Sequence, residues 1–431
     1  MTRRGYLYFG IMALLLLGVG FGQSWNVALG IFNLCLISAI MSLGVNIQWG
    51  YAGLFNVGIM GFAALGGLTA VLVSMPPVAE AWEAGGKGIG LAFLCLVATV
   101  VAVVAVRRYV AEHWRFWATL ITLVVGFALI RSVFDPAVER IESVNPAHTG
   151  YLGGMDLPIV LSWALGGLVA AGAAWLIGKI SLGLRADYLA IATLGISEII
   201  IAAVKYEEWL SRGVKNVTGM PRPVPYEVDL SESAWFVRLV DWLGADLGDS
   251  ASVAVKLCYA LLFLVVLVIV MWFSERALHS PWGRMMRAIR DNRDAASAMG
   301  KDVTWRHLQV FVLGCAVCGI AGAMLTTLDG QLTPTGYIPL RFTFLIWVMV
   351  IIGGSGNNWG AVLGGFAIWF LWIEAEPLGN WLMQMITLGM EDGYWLKDHL
   401  IASAAYTRLI MMGVILLLVM RFYPRGLIPE R

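Results

Sequence analysis

The sequence predicts an all-α bundle of membrane-spanning helices. Hydrophobic residue types make up 59% of the 431 residues, charged types make up only 13%, and the mean hydropathy is +0.79. Soluble domains are about 45–50% apolar and about 25% charged, so this composition excludes a soluble protein of this size. It also excludes a disordered chain, which needs low hydrophobicity and many charges. The apolar runs lack the alternation of membrane β-strands, so the spans are predicted to be helices.

Apolar runs long enough to cross a bilayer recur along the chain and predict ten to twelve spans in one transmembrane domain, residues 1–431. The candidate spans are 6–21, 26–46, 54–75, 89–106, 116–134, 158–178, 187–204, 253–274, 308–328, 343–354, 359–374 and 405–422. The run over 343–354 is short for a crossing, and the run over 187–204 contains Glu198. Either one is a candidate for a broken or re-entrant helix.

Charge asymmetry predicts the orientation of the spans. If the N-terminus is placed in the cytoplasm and the spans alternate, the inside segments hold 17 of the 29 basic residues and 7 of the 28 acidic ones. This positive-inside bias predicts that both termini are cytoplasmic. The same topology predicts an outside loop over 205–252 and a long cytoplasmic loop over 275–307. The first span lacks an A-x-A cleavage site, so it is interpreted as a retained helix.

The sequence lacks the common motifs of catalysis and nucleotide binding. It contains no H-E-x-x-H, no G-x-S-x-G and no G-x-x-x-x-G-K-[ST] motif. We therefore expect no enzymatic activity, no metal site and no cofactor, and any ATP-driven step must use ATP bound by another polypeptide. The 29 basic and 28 acidic residues nearly cancel, which argues against nucleic acid as a partner. Cys315 and Cys318 are interpreted as small packing residues, with a redox or metal pair as the alternative.

The cytoplasmic loop has the pattern of short amphipathic helices. Apolar residues recur near helical spacing at Met285, Met286, Ile289, Ala296 and Met299. Arginines repeat every three residues at Arg284, Arg287, Arg290 and Arg293. One or two helices along the membrane surface are predicted, with Pro281 at the entry and Gly283 and Gly300 as brackets. Two interpretations stay open: a helix that faces anionic lipid heads, or a docking element for a cytoplasmic partner.

A resemblance to a known family begins in this loop. The segment Asp294-Ala295-Ala296-Ser297-Ala298-Met299-Gly300 resembles the E-A-A-x-x-x-G loop of ABC-importer permeases, with Asp in place of Glu. Further blocks are similar to the M-type permease of bacterial branched-chain amino acid importers. They lie at 46–58, 185–195, 353–365 and 423–429. The region over 76–157 and the outside loop over 205–252 depart from that family's pattern.

The resemblance implies a permease subunit of an ABC importer for branched-chain or related amino acids in a bacterial inner membrane. It implies four kinds of partner: a second homologous permease, two cytoplasmic ATPase subunits, an extracytoplasmic substrate-binding protein and membrane lipid. The residues implied to couple to the ATPases are Arg284, Arg287, Arg290, Asp294, Ala295, Ala296 and Gly300. The alternatives that stay open are a permease for urea or short amides and a membrane scaffold that transports nothing.

Polar residues within or beside the spans are candidates for the transport path. They are Asn46, Gln48, Asn56, Glu198, Asn357 and Asn358. The amides flank two glycine-rich breaks, where they either satisfy unwound backbone, which we favour, or present polar groups to a substrate. A carboxylate inside a span is costly, so Glu198 is a functional candidate by default. Its alternatives are an ion pair with Arg131 or Arg408, or contact with water.

Overall fold

The computed structural model is an all-α bundle and describes residues 3–146, 149–388, 390 and 394–430. The helices of the first half are α1 (Arg3–Gly22), α2 (Trp25–Ala52), α3 (Ile59–Ser74), α4 (Ala79–Ala81), α5 (Lys87–Tyr109), α6 (Glu112–Ser143), α7 (Ile159–Ser181), α8 (Ala186–Tyr206) and α9 (Glu208–Ser211). A π-helical turn, Trp82–Gly86, joins α4 to α5. The helix pair α5 and α6 pack mainly on each other and are largely exposed, in the region that departs from the family pattern.

The second half begins with two short helices that pack against the long helix that follows them. Its helices are α10 (Glu227–Glu232), α11 (Ala234–Leu243), α12 (Leu247–His279), α13 (Pro281–Asp291), α14 (Arg293–Ala298), α15 (Val303–Asp329), α16 (Pro339–Gly353), α17 (Asn358–Thr387), α18 (Trp395–Ala402) and α19 (Thr407–Phe422). Two short strands, β1 (Val217–Thr218) and β2 (Gln331–Leu332), pair antiparallel, with Val217 opposite Leu332. The predicted outside loop therefore folds back onto the segment that follows α15.

Each of the twelve predicted spans contains a helix. Among the described residues, nine helices are long and apolar enough to cross a membrane, and α18 with α19, bent by 61°, form a tenth if they are one span. The predicted spans 54–75 and 343–354 correspond to α3 and α16, which have only 16 and 15 residues. The idea that 187–204 is broken is wrong, because α8 is one continuous helix of 21 residues.

Small residues allow the central helices to approach closely. A Cβ atom on Gly66 of α3 would collide with the carbonyl oxygen of Gly319 on α15. A Cβ on Gly322, one turn further along α15, would collide with the carbonyl oxygen of Ala63. Without a hydrophobic driving force between helices in lipid, such close backbone packing holds a bundle together. The helices α2, α3, α7, α15 and α17 form this centre, and the remaining long helices pack around them.

Candidate functional site

Two helix breaks, far apart in the sequence, meet in the interior of the bundle. The chain is irregular over 53–58 between α2 and α3, and over 354–357 between α16 and α17. Asn46, which lies on α2 before the first break, binds the second break. Its amide nitrogen donates to Oδ1 of Asn358 (3.0 Å), and its amide oxygen accepts from the backbone N–H of Gly356 (2.8 Å). Gly356 has φ of 83°, which is accessible to glycine at little cost.

The same Asn358 side chain connects the breaks to the end of α12. The hydroxyl of Tyr51 lies 2.5 Å from Oδ1 of Asn358 and 3.2 Å from the carbonyl oxygen of Ser274. The amide nitrogen of Asn358 donates to Oε1 of Glu275 (3.1 Å). Asn46, Tyr51 and Asn358 are all fully buried. Buried polar groups of this kind specify one arrangement of the helices, because any shift leaves a donor or acceptor unpaired.

A second amide pair supports the break over 53–58 from the other side. Gln48 donates to the carbonyl oxygen of Phe311 (3.1 Å), and Asn56 donates to Oε1 of Gln48 (3.0 Å). The indole N–H of Trp347 on α16 donates to the backbone oxygen of Asn56 (3.0 Å). The amide oxygen of Asn56 also accepts from the backbone N–H of Gly58 (2.9 Å), so this amide and the Trp347 indole satisfy unwound backbone, the interpretation that the sequence favours. A role for the amides in the transport path stays a prediction.

The loop between α12 and α15 contains two short helices, α13 and α14, where the sequence predicts one or two. In α13, the hydroxyl of Ser280 caps the first turn and Pro281 occupies it, while Met286 and Ile289 are buried against the bundle. Gly283 lies inside α13 rather than before it. A Cβ at this position would collide with the carbonyl oxygens at the end of α12, so the close approach of the two helices requires glycine. In the short helix α14 the side chain of Asn292 accepts from the N–H of Ala295 (2.9 Å).

The residues implied to couple to ATPases divide into two groups. The exposed group lies in the first turn of α13, in α14 and just after α14. Its members are Arg284, Asp294, Ala295 and Gly300. Ala296 is half-buried, and Met299 beside it is 79% exposed. Arg287 and Arg290 instead turn toward the bundle, with only 30% and 25% of their side chains exposed. The exposed group therefore faces away from the bundle, where a partner can reach it.

Arg290 connects α13 to both breaks. Its guanidinium donates to the carbonyl oxygen of Gly50, near the end of α2, and forms an ion pair with Glu430 (2.8 Å). Arg287 lies 3.9 Å from the same carboxylate. Burial alone would lower the pKa of Arg290, but the hydrogen bond and charge of Glu430, with Asp291, outweigh it and raise the pKa. Arg290 is therefore charged throughout the physiological pH range.

The C-terminal segment holds Glu430 in place beside the second break. The backbone N–H groups of Leu427 and Ile428 donate to the carbonyl oxygens of Ile352 and Gly353 at the end of α16 (2.8 and 2.9 Å). Asn357 caps α17 and also donates to the carbonyl oxygen of Pro429 (3.1 Å). The sequence identified 423–429 only as a family-like block. No local signal indicated that this segment binds the break or that Glu430 meets Arg290.

Glu198 lies on an exposed face of α8. Within the described residues its carboxylate has no hydrogen bond and no ion pair. The two predicted partners are wrong, because Arg131 pairs with Asp135 (2.7 Å) and Arg408 pairs with Glu376. The exposed residues of α8 follow one stripe and include Tyr188, Ile191, Gly195, Glu198 and Ile199. A Cβ on Gly195 would meet nothing within 4 Å, so there is open space beside this stripe.

Comparisons with known proteins identify similar sequences over most of the chain. A family model described as the permease component of branched-chain amino acid transport systems matches residues 27–420. The probable branched-chain amino acid transport permease LivM of Methanocaldococcus jannaschii is 24% identical over 397 residues, which are 91% of this chain and 90% of that protein.

Two relatives from Salmonella typhimurium match over shorter stretches. LivM, a high-affinity branched-chain amino acid transport system permease, is 29% identical over 46% of this chain and 47% of its own. LivH, of the same description, is 24% identical over 43% of this chain and 65% of its own. No solved structure matches the chain.

Proposed function

Since this chain belongs to the family of permease components of branched-chain amino acid transport systems, we propose that it is a membrane-spanning subunit of an ABC importer. The importer carries branched-chain or related amino acids into the cytoplasm across a bacterial inner membrane. Its partners are a second homologous permease, two cytoplasmic ATPases that bind ATP, and an extracytoplasmic substrate-binding protein. The similarity to both LivM and LivH supports a pair of homologous permeases.

The observation that carries this proposal is the connection from α14 to the two helix breaks. The exposed helix α14 is the surface that a cytoplasmic ATPase contacts. The partly buried α13 transmits the movement, because Arg290 binds the end of α2 at Gly50 and the C-terminal segment at Glu430. A displacement of α13 therefore acts on both breaks together. Helix breaks beside buried amides are points at which spans can change direction, as alternating access requires.

The exposed stripe of α8 is proposed to line the path between this chain and the second permease. An ionised side chain at mid-span costs about 2.5–3.5 kcal/mol on insertion scales, so a carboxylate such as Glu198 normally faces protein or water. The opposite face of α8, which includes Thr193 and Ser197, is buried against the bundle. Asn46, Gln48, Asn56, Asn357 and Asn358 are proposed to hold the helices that border this path rather than to touch the substrate.

The proposal predicts ATP-dependent uptake of leucine. The chain would be reconstituted in vesicles with the permease and ATPases encoded by neighbouring genes and with the binding protein outside. We expect leucine to accumulate only with hydrolysable ATP, and isoleucine and valine to compete while urea does not. A non-hydrolysable ATP analogue is the control.

Three outcomes of this experiment separate the candidate functions. Uptake of urea alone would establish the urea or short-amide permease instead. If the ATPases bind but neither solute enters, the transport proposal fails and the scaffold alternative gains support. Uptake of leucine without ATP would contradict the role of the ATPases.

A bulky side chain at Gly195 is predicted to block transport without unfolding the chain. The space beside Gly195 is open, so a Gly195→Trp change should alter the free energy of unfolding by less than about 0.5 kcal/mol. In the assembled importer the indole would lie between the two permeases, and leucine uptake should fall about tenfold or more. Gly90→Trp is the matched control, because Gly90 of α5 also has open space beside it. Wild-type uptake by Gly195→Trp would refute the place given to α8.

A further inference from the structure

A cavity of about 290 Å³ lies within the chain between α2, α15, α16 and α17. Its open end is marked by the exposed residues Asp329 and Gln331, and its closed end by the buried Met41 and Met60. Asp329 ends α15, whose 27 residues rise about 40 Å from the loop that contains α14. The cavity therefore opens on the face opposite the proposed ATPase surface, beside the paired strands β1 and β2.

The two ends of the cavity differ in chemistry. The buried lining is mainly apolar and includes Ile37 and Ile346, which are 2% and 3% exposed. At the open end, the carboxylate of Asp329 has no hydrogen bond or ion pair with any residue that the structure describes. Two buried polar atoms on the lining, Oγ1 of Thr333 and Nε1 of Trp369, also have no hydrogen-bond partner. Buried polar atoms without partners are uncommon and point to a missing ligand or water.

These groups match the parts of an aliphatic amino acid. A carboxylate accepts hydrogen bonds from an ammonium group, and an indole N–H or a hydroxyl donates to a carboxylate. The apolar end suits a branched side chain, because burial removes its apolar surface from water. The volume is at the lower limit of small-molecule sites, which span about 300–1,000 Å³, so it suits one amino acid better than a two-chain lipid.

We propose that this cavity is a binding site within the chain for the transported aliphatic amino acid. The ammonium group contacts Asp329, the carboxylate lies near Thr333 and Trp369, and the branched side chain lies between Ile37 and Ile346. The site rests on the proposed import function, because its open end faces the side from which the substrate would arrive. It gives the chain its own selectivity for apolar amino acids, in addition to that of a binding protein.

Binding of labelled leucine to the whole permease complex in nanodiscs, without ATP and without the binding protein, tests this site. Asp329→Asn is expected to weaken leucine binding about tenfold or more, since it removes a charge-assisted contact. The inhibition constant of 4-methylpentanoate, which is leucine without its ammonium group, should not change. Ile346→Trp fills the apolar end and should weaken the binding of both leucine and 4-methylpentanoate.

Asp156→Asn is the matched control, because it removes one negative charge from an exposed position outside the cavity. Equal leucine binding by Asp329→Asn and Asp156→Asn would overturn the site, as would a wild-type complex that imports leucine but binds none in nanodiscs. A co-purified lipid that Ile346→Trp displaces, with leucine binding unaffected, would show that the cavity holds lipid instead. If the wild-type complex imports no amino acid at all, the proposed function fails, and this is a separate outcome.

Discussion

Asp294→Arg is expected to release the ATPase subunits, whereas Arg290→Met is expected to leave them bound and to lower uptake severalfold. Asp294 is exposed on α14, where a reversed charge meets the partner directly. Arg290 points into the chain, and its loss leaves the carboxylate of Glu430 and the carbonyl oxygen of Gly50 without their partner. Coupling free energies of 1–3 kcal/mol correspond to about 5–150-fold, so uptake should fall by about fivefold or more. ATPase co-purification and leucine uptake measure the two effects separately.

The matched control for Arg290→Met is Arg115→Met, the same substitution at an exposed arginine of α6 that lies outside the group implied to contact the ATPases. It should keep uptake within about twofold, because a surface arginine contributes little to stability. Glu430→Gln should reproduce the Arg290→Met effect in weaker form, since the hydrogen bond can persist while the charge is lost. Release of the ATPases by Arg290→Met would show that this arginine docks the partner itself, as the family resemblance implies.

The direction of these arginines shows where sequence reasoning ends. A step of three residues turns a helix by about 300°, so Arg290 lies about 120° around α13 from Arg284. The sequence thus indicates that the arginines cannot all face one side. It does not indicate which of them turns inward, because Glu430 is remote in the sequence and reaches α13 only through the folded C-terminal segment. The partner of an ion pair is a property of the fold.

The spans and both amphipathic helices could be predicted because their signals are local. Runs of apolar residues and helical spacing are visible within one window, and every predicted span contains a helix. The breaks at 53–58 and 354–357 were visible as glycine-rich segments between spans. Their contact through Asn46 and Asn358 could not be predicted, because it depends on how α2 packs against α17.

The exposed face of α8 is a second example. The sequence identified Glu198 as an unusual carboxylate within a span and proposed Arg131 or Arg408 as its partner. Those arginines form ion pairs with other residues, and the stripe around Glu198 is exposed in the part of the chain that the structure describes. The periodicity of a helix shows which residues share a face. It does not tell whether that face meets lipid, water or a second subunit.

Asn358→Leu is expected to be among the most destabilising substitutions in the chain. The change leaves Asn46, Tyr51 and Glu275 without the partner that each has in the buried network. Each unsatisfied buried group costs about 1–3 kcal/mol, and a charged one costs more, so the free energy of unfolding should fall by about 3 kcal/mol or more. Unfolding in mixed micelles with increasing SDS would measure this. Uptake should be lost with it, because the two breaks separate.

Asn33→Leu is the matched control on α2. Asn33 is also fully buried, but it makes a single hydrogen bond, to the carbonyl oxygen of Lys256 (2.9 Å), and its own amide oxygen has no partner. Replacing it removes an unsatisfied atom together with one bond, so the free energy of unfolding should change by no more than about 1 kcal/mol. If Asn33→Leu and Asn358→Leu lowered the free energy of unfolding equally, Asn358 would contribute no more to stability than an ordinary buried amide.

The double variant Asn358→Leu, Tyr51→Phe distinguishes unsatisfied polar groups from poor packing. If the cost of Asn358→Leu comes from unpaired groups, removing the Tyr51 hydroxyl in the same chain should restore about 1 kcal/mol, although Tyr51→Phe alone destabilises. If the cost came from the shape of leucine at this position, the two losses would add. Additive losses would therefore contradict the hydrogen bonds of Asn358 as the interactions that hold α17 against α2 and the end of α12.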